Sequence, residues 1–298
     1  MLGVVTRTSL RAWAAPLLAV ERRIDVVGAL TLVVLLMTTQ KTWGLQVMLV
    51  PLAVAAVVDR RLVQMAGYWL AVLAVYVVGV APSVLEIDNH EFLLAYWLLA
   101  LALSRRLDDP AAGLATSARL LVGAAFAFAV LWKAASPEYL RGDAFHGYLL
   151  LDPRFAGLSA AVSDLTLADG ERARAVAQAL QTVGDEALRV AVPDGPGVRR
   201  LAAVMTGWTL GIEAVVAACF LAPPEGRVGR ARHVALLVFL FTTYVLAPVL
   251  GFGWLLVTLG LAQTPLEQRP GLGVAYGAAF VLVLARATAP LPWLLSLL

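Results

Sequence analysis

Apolar runs recur along the chain, separated by short polar breaks. They fall near residues 24–40, 43–58, 62–85, 114–135, 201–222 and 272–290. A helix crossing hydrocarbon needs about 20 mostly apolar residues, with a range of about 17–25, so each run predicts a membrane-crossing helix. Two regions depart from this pattern. Residues 91–104 are apolar but short. Residues 233–264 are too long for one straight helix and contain Pro248, Gly251 and Gly253. They predict either one kinked helix or two shorter segments with a re-entrant bend. The pattern as a whole predicts an all-α, polytopic transmembrane helical bundle of about eight spans.

Two stretches outside the runs are patterned differently. Residues 1–20 carry Arg7 and Arg11 and have no continuous apolar core, so no cleavable signal peptide is expected. They read as a short surface helix with Trp13 and Leu17 toward lipid. Residues 136–200 form the one sizeable polar segment. Within it Val176, Leu180, Val183 and Ala187 recur at helical spacing, with Arg172, Arg174, Gln178, Asp185 and Arg189 on other faces. This predicts an amphipathic helix over 170–191 lying as a cap, broken by Pro193, Gly195, Pro196 and Gly197. The chain thus reads as a single transmembrane domain, 1–298, with 136–200 as an extracytoplasmic helical insertion.

Composition sharpens the class. Hydrophobic types make up 61% of the 298 residues and charged types 14%, against about 45–50% and about 25% in soluble domains. An ordinary soluble enzyme is excluded, as is a disordered chain. The net charge of +3 is too small to argue for nucleic acid. Basic residues are distributed unevenly, and cytoplasmic loops collect them. With the N-terminus inside, the inner loops hold Arg7, Arg11, Arg22, Arg23, Arg60, Arg61, Arg105, Arg106, Arg119, Arg227, Arg230 and Arg232. The short outer loops hold only Lys41 and Arg269. The expected location is the cell (inner) membrane, with 136–200 outside. The single cysteine, Cys219, sits in an apolar run and reads as a buried small side chain.

Ionisable groups at membrane depth are expensive and few. Lys133 ends the apolar run 120–132 and is one of only two lysines. It reads either as a side chain snorkelling to the headgroups or as a desolvated amine able to act as a general base, which arginine cannot do. His90 lies in Glu86-Ile87-Asp88-Asn89-His90-Glu91, either in a capped polar turn or as a proton-holding imidazole. Glu213 sits mid-span without a charged neighbour on its own helix. It must be protonated or paired across helices, and Lys133 is one possible partner. Thr242, Thr243 and Tyr244 read as helix-packing hydroxyls, and Trp43, Trp69, Trp97 and Trp254 as packing or interface residues. The three histidines match no metal-ligand spacing, so no metal is predicted. No nucleotide, covalent-haem or zincin motif is present.

The order of these polar residues resembles a known family. Asn89-His90 opens a helix on the outer side. Phe126-Ala-Phe-Ala-Val-Leu-Trp-Lys133 ends a span in lysine, Tyr139-Leu-Arg-Gly142 follows, and Glu213 lies in the next span. This resembles the membrane domain of vitamin K-dependent gamma-glutamyl carboxylases and the bacterial horizontally transferred transmembrane (HTTM) proteins, over roughly residues 10–290. The resemblance implies a reduced quinone as cofactor, Lys133 as the base that deprotonates it, His90 as a second catalytic residue, and Asn89, Glu213, Tyr139 and Gly142 in support. The sequence departs from the family in three places. The carboxylase's large C-terminal domain has no counterpart, the family's histidine near the penultimate span is replaced by Thr242 and Thr243, and residues 168–198 look inserted.

Two functions follow as expectations. The first is a quinol- or lipid-dependent carboxylase- or oxygenase-type enzyme with membrane lipids and a hydrophobic quinone as its partners. The second is a non-catalytic membrane subunit whose 136–200 segment docks a protein. A proton-coupled carrier ranks last, because no matched pair of broken spans divides the chain in two halves.

Overall fold

The computed structural model describes residues 20–39, 43–84, 88–183, 195–247, 249–264 and 269–288. The expected surface helix over 1–20, Lys41, Pro248 and the end of the amphipathic helix beyond 183 lie outside these. Among the described residues every regular element is helical. The helices are α1 (Val20–Thr38), α2 (Trp43–Val58), α3 (Ala66–Val80), α4 (Asn89–Ser104), α5 (Pro110–Ala135), α6 (Pro137–Leu140) and α7 (Asp143–Leu151). There follow α8 (Ala156–Val162), α9 (Leu167–Val183), α10 (Pro196–Leu221), α11 (Arg227–Arg230), α12 (Arg232–Leu246), α13 (Leu250–Ala262) and α14 (Pro270–Thr288). Two of them, α5 and α10, are long and apolar enough to cross a membrane. Each has 26 residues, about 39 Å at 1.5 Å per residue, which exceeds the roughly 30 Å of a hydrocarbon core. Six further apolar helical stretches are shorter, at 10–17 residues.

The chain forms two compact units. The first comprises residues up to 123 together with 250–281, and the second comprises 124–249 together with the residues from 282 onward. In the first unit the buried aromatic rings carry their polar atoms to backbone carbonyls or to buried hydroxyls. Trp69 Nε1 donates to Val63 O at 2.8 Å, the Tyr68 hydroxyl to Leu52 O at 3.0 Å, and Tyr76 to Glu91 O at 3.2 Å. Trp97 Nε1 donates to the buried Thr31 hydroxyl at 2.9 Å, and that hydroxyl donates to Val27 O on its own helix at 2.8 Å. An indole or phenol can enter an apolar interior only with its donor satisfied. Trp69 and Trp97 are therefore packing residues, whereas Trp43 is 79% exposed.

In the second unit the segment after α5 packs onto the N-terminal half of α10. Phe145, Leu149, Leu150, Phe155 and Leu165 form one apolar cluster with Val198, Ala202 and Met205. The expected amphipathic helix starts at Leu167, earlier than residue 170, because Thr166 and Asp169 cap it reciprocally. Asp169 N donates to Thr166 Oγ1 at 3.2 Å and Thr166 N to Asp169 Oδ2 at 3.0 Å.

The long run 233–264 is two helices, α12 in the second unit and α13 in the first. Ala247 sits at φ −130°, ψ 81°, outside the helical region, as expected of a residue preceding proline. Breaking a helix frees carbonyls, and Arg286 takes one: its Nε donates to Val245 O at 2.7 Å from a side chain that is buried.

The start of α10 is capped from a distance. The Asp164 carboxylate accepts from Gly197 N at 3.3 Å and Val198 N at 3.1 Å. A Cβ on Gly195 would lie 1.8 Å from that carboxylate and one on Gly197 2.7 Å, so the glycines clear room for the cap. Replacing a capping carboxylate by Ala costs about 0.5–2 kcal/mol. Asp164→Ala should accordingly lower the thermal unfolding midpoint of the detergent-solubilised protein and speed amide exchange at residues 197 and 198.

Candidate functional site: a buried lysine–glutamate pair

Lys133 occupies the last turn of α5 and Glu213 lies in the C-terminal half of α10. They are 80 residues apart in sequence and joined in space, with Lys133 Nζ donating to Glu213 Oε1. The side chains are 21% and 8% exposed. Glu213 therefore has the interhelical partner that its position demanded. A bare carboxylate and a bare ammonium would each cost several kcal/mol in a low-dielectric setting, and mutual pairing offsets much of that. One oxygen remains unused: Glu213 Oε2 is buried without a hydrogen-bond partner among the described residues.

The neighbours come from three elements. Tyr139, on α6, places its ring under Lys133 Nζ, 5.4 Å from the ring centroid, within the range of a cation–π contact. The side chain of Thr209, one turn before Glu213 on α10, lies within reach of the Tyr139 hydroxyl. Burial first, then the nearby Glu213 charge, pushes the Tyr139 phenol well above its ordinary value, so it stays neutral at physiological pH. Phe145 packs edge-on against the same ring at 5.7 Å. Tyr244, on α12, is buried and lies within electrostatic reach of Glu213. Gly142 adopts φ +82°, a left-handed conformation that suits glycine. This turn leads from α6 into α7 and sets the backbone against α10, where a Cβ on Gly142 would stand 3.6 Å from Thr206 Oγ1.

Lys133, Glu213 and Tyr139 are thus brought together, with Gly142 shaping the adjoining turn. His90 and Asn89 belong to the other unit. Helix α4 opens at Asn89, with Asp88 as its cap and Glu91 Oε2 accepting from Asp88 N at 3.0 Å. Asn89 is exposed. His90 is 15% exposed, with Nδ1 3.9 Å from the Asp88 carboxylate and its ring 6.0 Å from that of Phe252. Gly251 makes the close approach of α13 possible, since a Cβ there would lie 2.3 Å from Thr38 Cγ2 and 3.2 Å from His90 Nε2. Burial lowers the His90 pKa below its usual 6.5, with the charges of Asp88 and Glu91 opposing but not cancelling the shift.

Three residues escaped the sequence reading. Thr206 and Thr209 share a face of α10 with Glu213, a spacing legible in hindsight on an otherwise apolar helix. Arg286 is a lone charge in the last apolar run. Among the described residues no group of three His, Cys, Asp or Glu side chains converges in a way that could hold a metal. No family model, characterised protein or solved structure matches the chain.

Two measurements probe this geometry. Lys133→Met leaves Glu213 buried and unpaired, a change that costs about 3–5 kcal/mol, whereas replacing both partners by apolar residues is close to neutral. Thermal unfolding should therefore show Lys133→Met/Glu213→Leu more stable than Lys133→Met alone, and equal stability would show that the pair is not coupled. For His90 the folded pKa lies below the unfolded one, so its contribution is complete above about pH 6.5 and is lost as pH falls below that value. Unfolding midpoints measured from pH 7.5 down to pH 5 should fall more steeply for wild type than for His90→Gln.

Proposed function

We propose that the chain is a multi-pass inner-membrane protein with a cytoplasmic N-terminus, and that Lys133, paired with Glu213, is the base of an enzyme acting on a lipid-soluble hydroxyl compound of the reduced-quinone class. The membrane reading is supported by the two 26-residue apolar helices, by the shorter apolar helices around them, and by the arginine asymmetry between the two sets of loops. About eight spans, with 136–200 outside, is the arrangement that satisfies all three.

The observation that carries the catalytic reading is the pair itself. Lys133 is the one lysine in the described residues, it is held by a carboxyl that is almost fully buried, and its amine is still a fifth exposed. Phe128, Leu131 and Trp132, within two turns, are 71%, 63% and 79% exposed, so the approach to the amine is apolar. An acid–amine pair is net neutral whether the shared proton rests on Nζ or on Oε1, so the proton moves between them without creating net charge in a poor solvent. With the proton on Glu213, Nζ offers a lone pair. When Nζ takes up a proton, the resulting ammonium is held by Glu213 and the Tyr139 ring face.

This donor set fits a reduced quinone, whose weakly acidic hydroxyl would be the chemistry supplied to the site. The resemblance to the carboxylase membrane domain and to HTTM proteins points the same way, with His90 and Asn89 as the second group of residues. A second reading rests on the same pair: Lys133 is already bonded to Glu213, as it would be in a non-catalytic subunit that uses the ion pair to fasten α5 to α10.

Lys133→Arg separates the two readings. Arginine keeps the charge and the pairing but does not give up its proton. Protein in nanodiscs should show quinol-dependent oxygen uptake that falls by roughly 10²-fold or more in Lys133→Arg, the scale of general-base catalysis, with little change in stability. Uptake equal to wild type would remove Lys133 from the chemistry and leave the structural role.

A further inference from the structure

Four of the five buried threonines among the described residues follow one rule. Thr31, Thr39, Thr258 and Thr264 each donate to the carbonyl four residues earlier, at 2.8 Å. This is the ordinary way for threonine to satisfy itself in an apolar helix. The threonines beside Glu213 break the rule. Thr206 is 6% exposed, yet its Oγ1 has no hydrogen-bond partner among the described residues. Thr209 has its hydroxyl within reach of the Tyr139 phenol. Glu213 is likewise 6% exposed, with Oε2 unpartnered. Positions 206, 209 and 213 fall at i, i+3 and i+7, on one face of α10. They form a polar line through an apolar helix, and it ends at the shared proton of the Lys133–Glu213 pair.

We infer that Thr206, Thr209 and Tyr139 are a proton relay that connects Glu213 Oε2 with the N-terminal end of α10, the end that carries the 137–195 segment. The inference rests on reading Lys133–Glu213 as an acid–base centre, and it assigns the two members different tasks. Lys133 meets the substrate, and Glu213 passes the proton on. A base that turns over must release the proton it has taken. With the Glu213 proton on Oε2, the amine passes a proton across the existing hydrogen bond to Oε1 as Oε2 gives its own to the threonine line, so the carboxyl carries one proton before and after. Hydroxyl groups both donate and accept, so each can receive a proton on one lone pair while giving up its own. Tyr139 suits the same role because its phenol stays neutral while lying between the ammonium and Thr209. The neighbouring hydroxyls are a turn apart, a gap that one transient water bridges. Burying an unsatisfied hydroxyl costs about 1–3 kcal/mol, and valine would fill the place of Thr206 without that cost. Thr206 and Glu213 Oε2 are both left open along the same face, which is what a path would require.

The test follows the proton and needs no substrate. Full-length protein in nanodiscs is moved from H2O into D2O, and infrared spectroscopy follows the protonated-carboxyl band that Glu213→Gln abolishes. The band should exchange in wild type and in Thr242→Val, whose hydroxyl already bonds Val238 O. In Thr206→Val/Thr209→Val the exchange should slow roughly tenfold, equivalent to about 1.4 kcal/mol on a barrier. Thr206→Ser/Thr209→Ser should restore the wild-type rate, because serine returns the hydroxyl without the methyl group. Exchange at the wild-type rate in the valine pair would overturn the relay, as would the absence at every pH of a band that depends on Glu213. These outcomes are independent of the quinol assay. Slowed exchange with no quinol-dependent uptake supports the relay and sinks the base, whereas unchanged exchange with Lys133-dependent uptake sinks the relay and leaves the base.

Discussion

Removing charge from water constrains this molecule more than any other single requirement. Helix α10 carries a carboxyl group in an apolar stretch, where an isolated anion is not tolerated. The chain answers with an amine from the end of α5, joined to it across 80 residues of sequence. That pair dictates much around it. It fixes the register of α10 against the end of α5, it calls for an aromatic face beneath the ammonium, and it draws the α6–α7 turn with its left-handed glycine onto the same helix. The residual imperfection, one carboxyl oxygen without a partner, is where chemistry can enter.

The same accounting governs the backbone. A helix broken inside an apolar interior frees carbonyls that water cannot reach. At the end of α12 a buried arginine from α14 donates to one of them. In the first unit tryptophan and tyrosine donors serve carbonyls at Leu52, Val63 and Glu91. Threonines return to their own helices. Each device lets an apolar chain depart from straight helices without leaving polar groups bare. The hydroxyl at Thr206 differs from those of the other buried threonines, each of which bonds its own helix.

The candidate site was partly legible in the sequence. Lys133 was conspicuous because lysine is so rare in the chain, and Glu213 because no charged residue lies within a helical turn of it. Lys133 was one possible partner for Glu213, but the contact itself was beyond reach, since no periodicity relates residues 80 positions apart. Thr206 and Thr209 were present at helical spacing, but threonine in an apolar helix has a satisfied default that sequence cannot distinguish from an open hydroxyl. Arg286 was not singled out, although its position inside the last apolar run sets it apart. The long run 233–264 left open one kinked helix or two shorter segments, with Pro248, Gly251 and Gly253 inside it; the structure has two helices, with Ala247 before the proline outside the helical region.

Local rules thus settled the elements. The length and composition of the apolar runs predicted helices, and every regular element among the described residues is helical; the uneven distribution of arginines between loops supplied an expected orientation. Asp88 was read as a cap opening a helix, whereas the Thr166–Asp169 cap went unread and the helix it opens was expected only from 170. These depend on neighbours a turn away, so one dimension suffices to read them. The tertiary structure decided what long-range contact alone can decide. It gave Glu213 to Lys133, set Tyr139 under the amine, joined Asp164 to the start of α10, and placed His90 against α13 in a separate unit. The reason is physical: the free energy of a buried charge or hydroxyl depends on which atoms of distant segments reach it, and the pattern of apolar residues along the chain does not specify those partners.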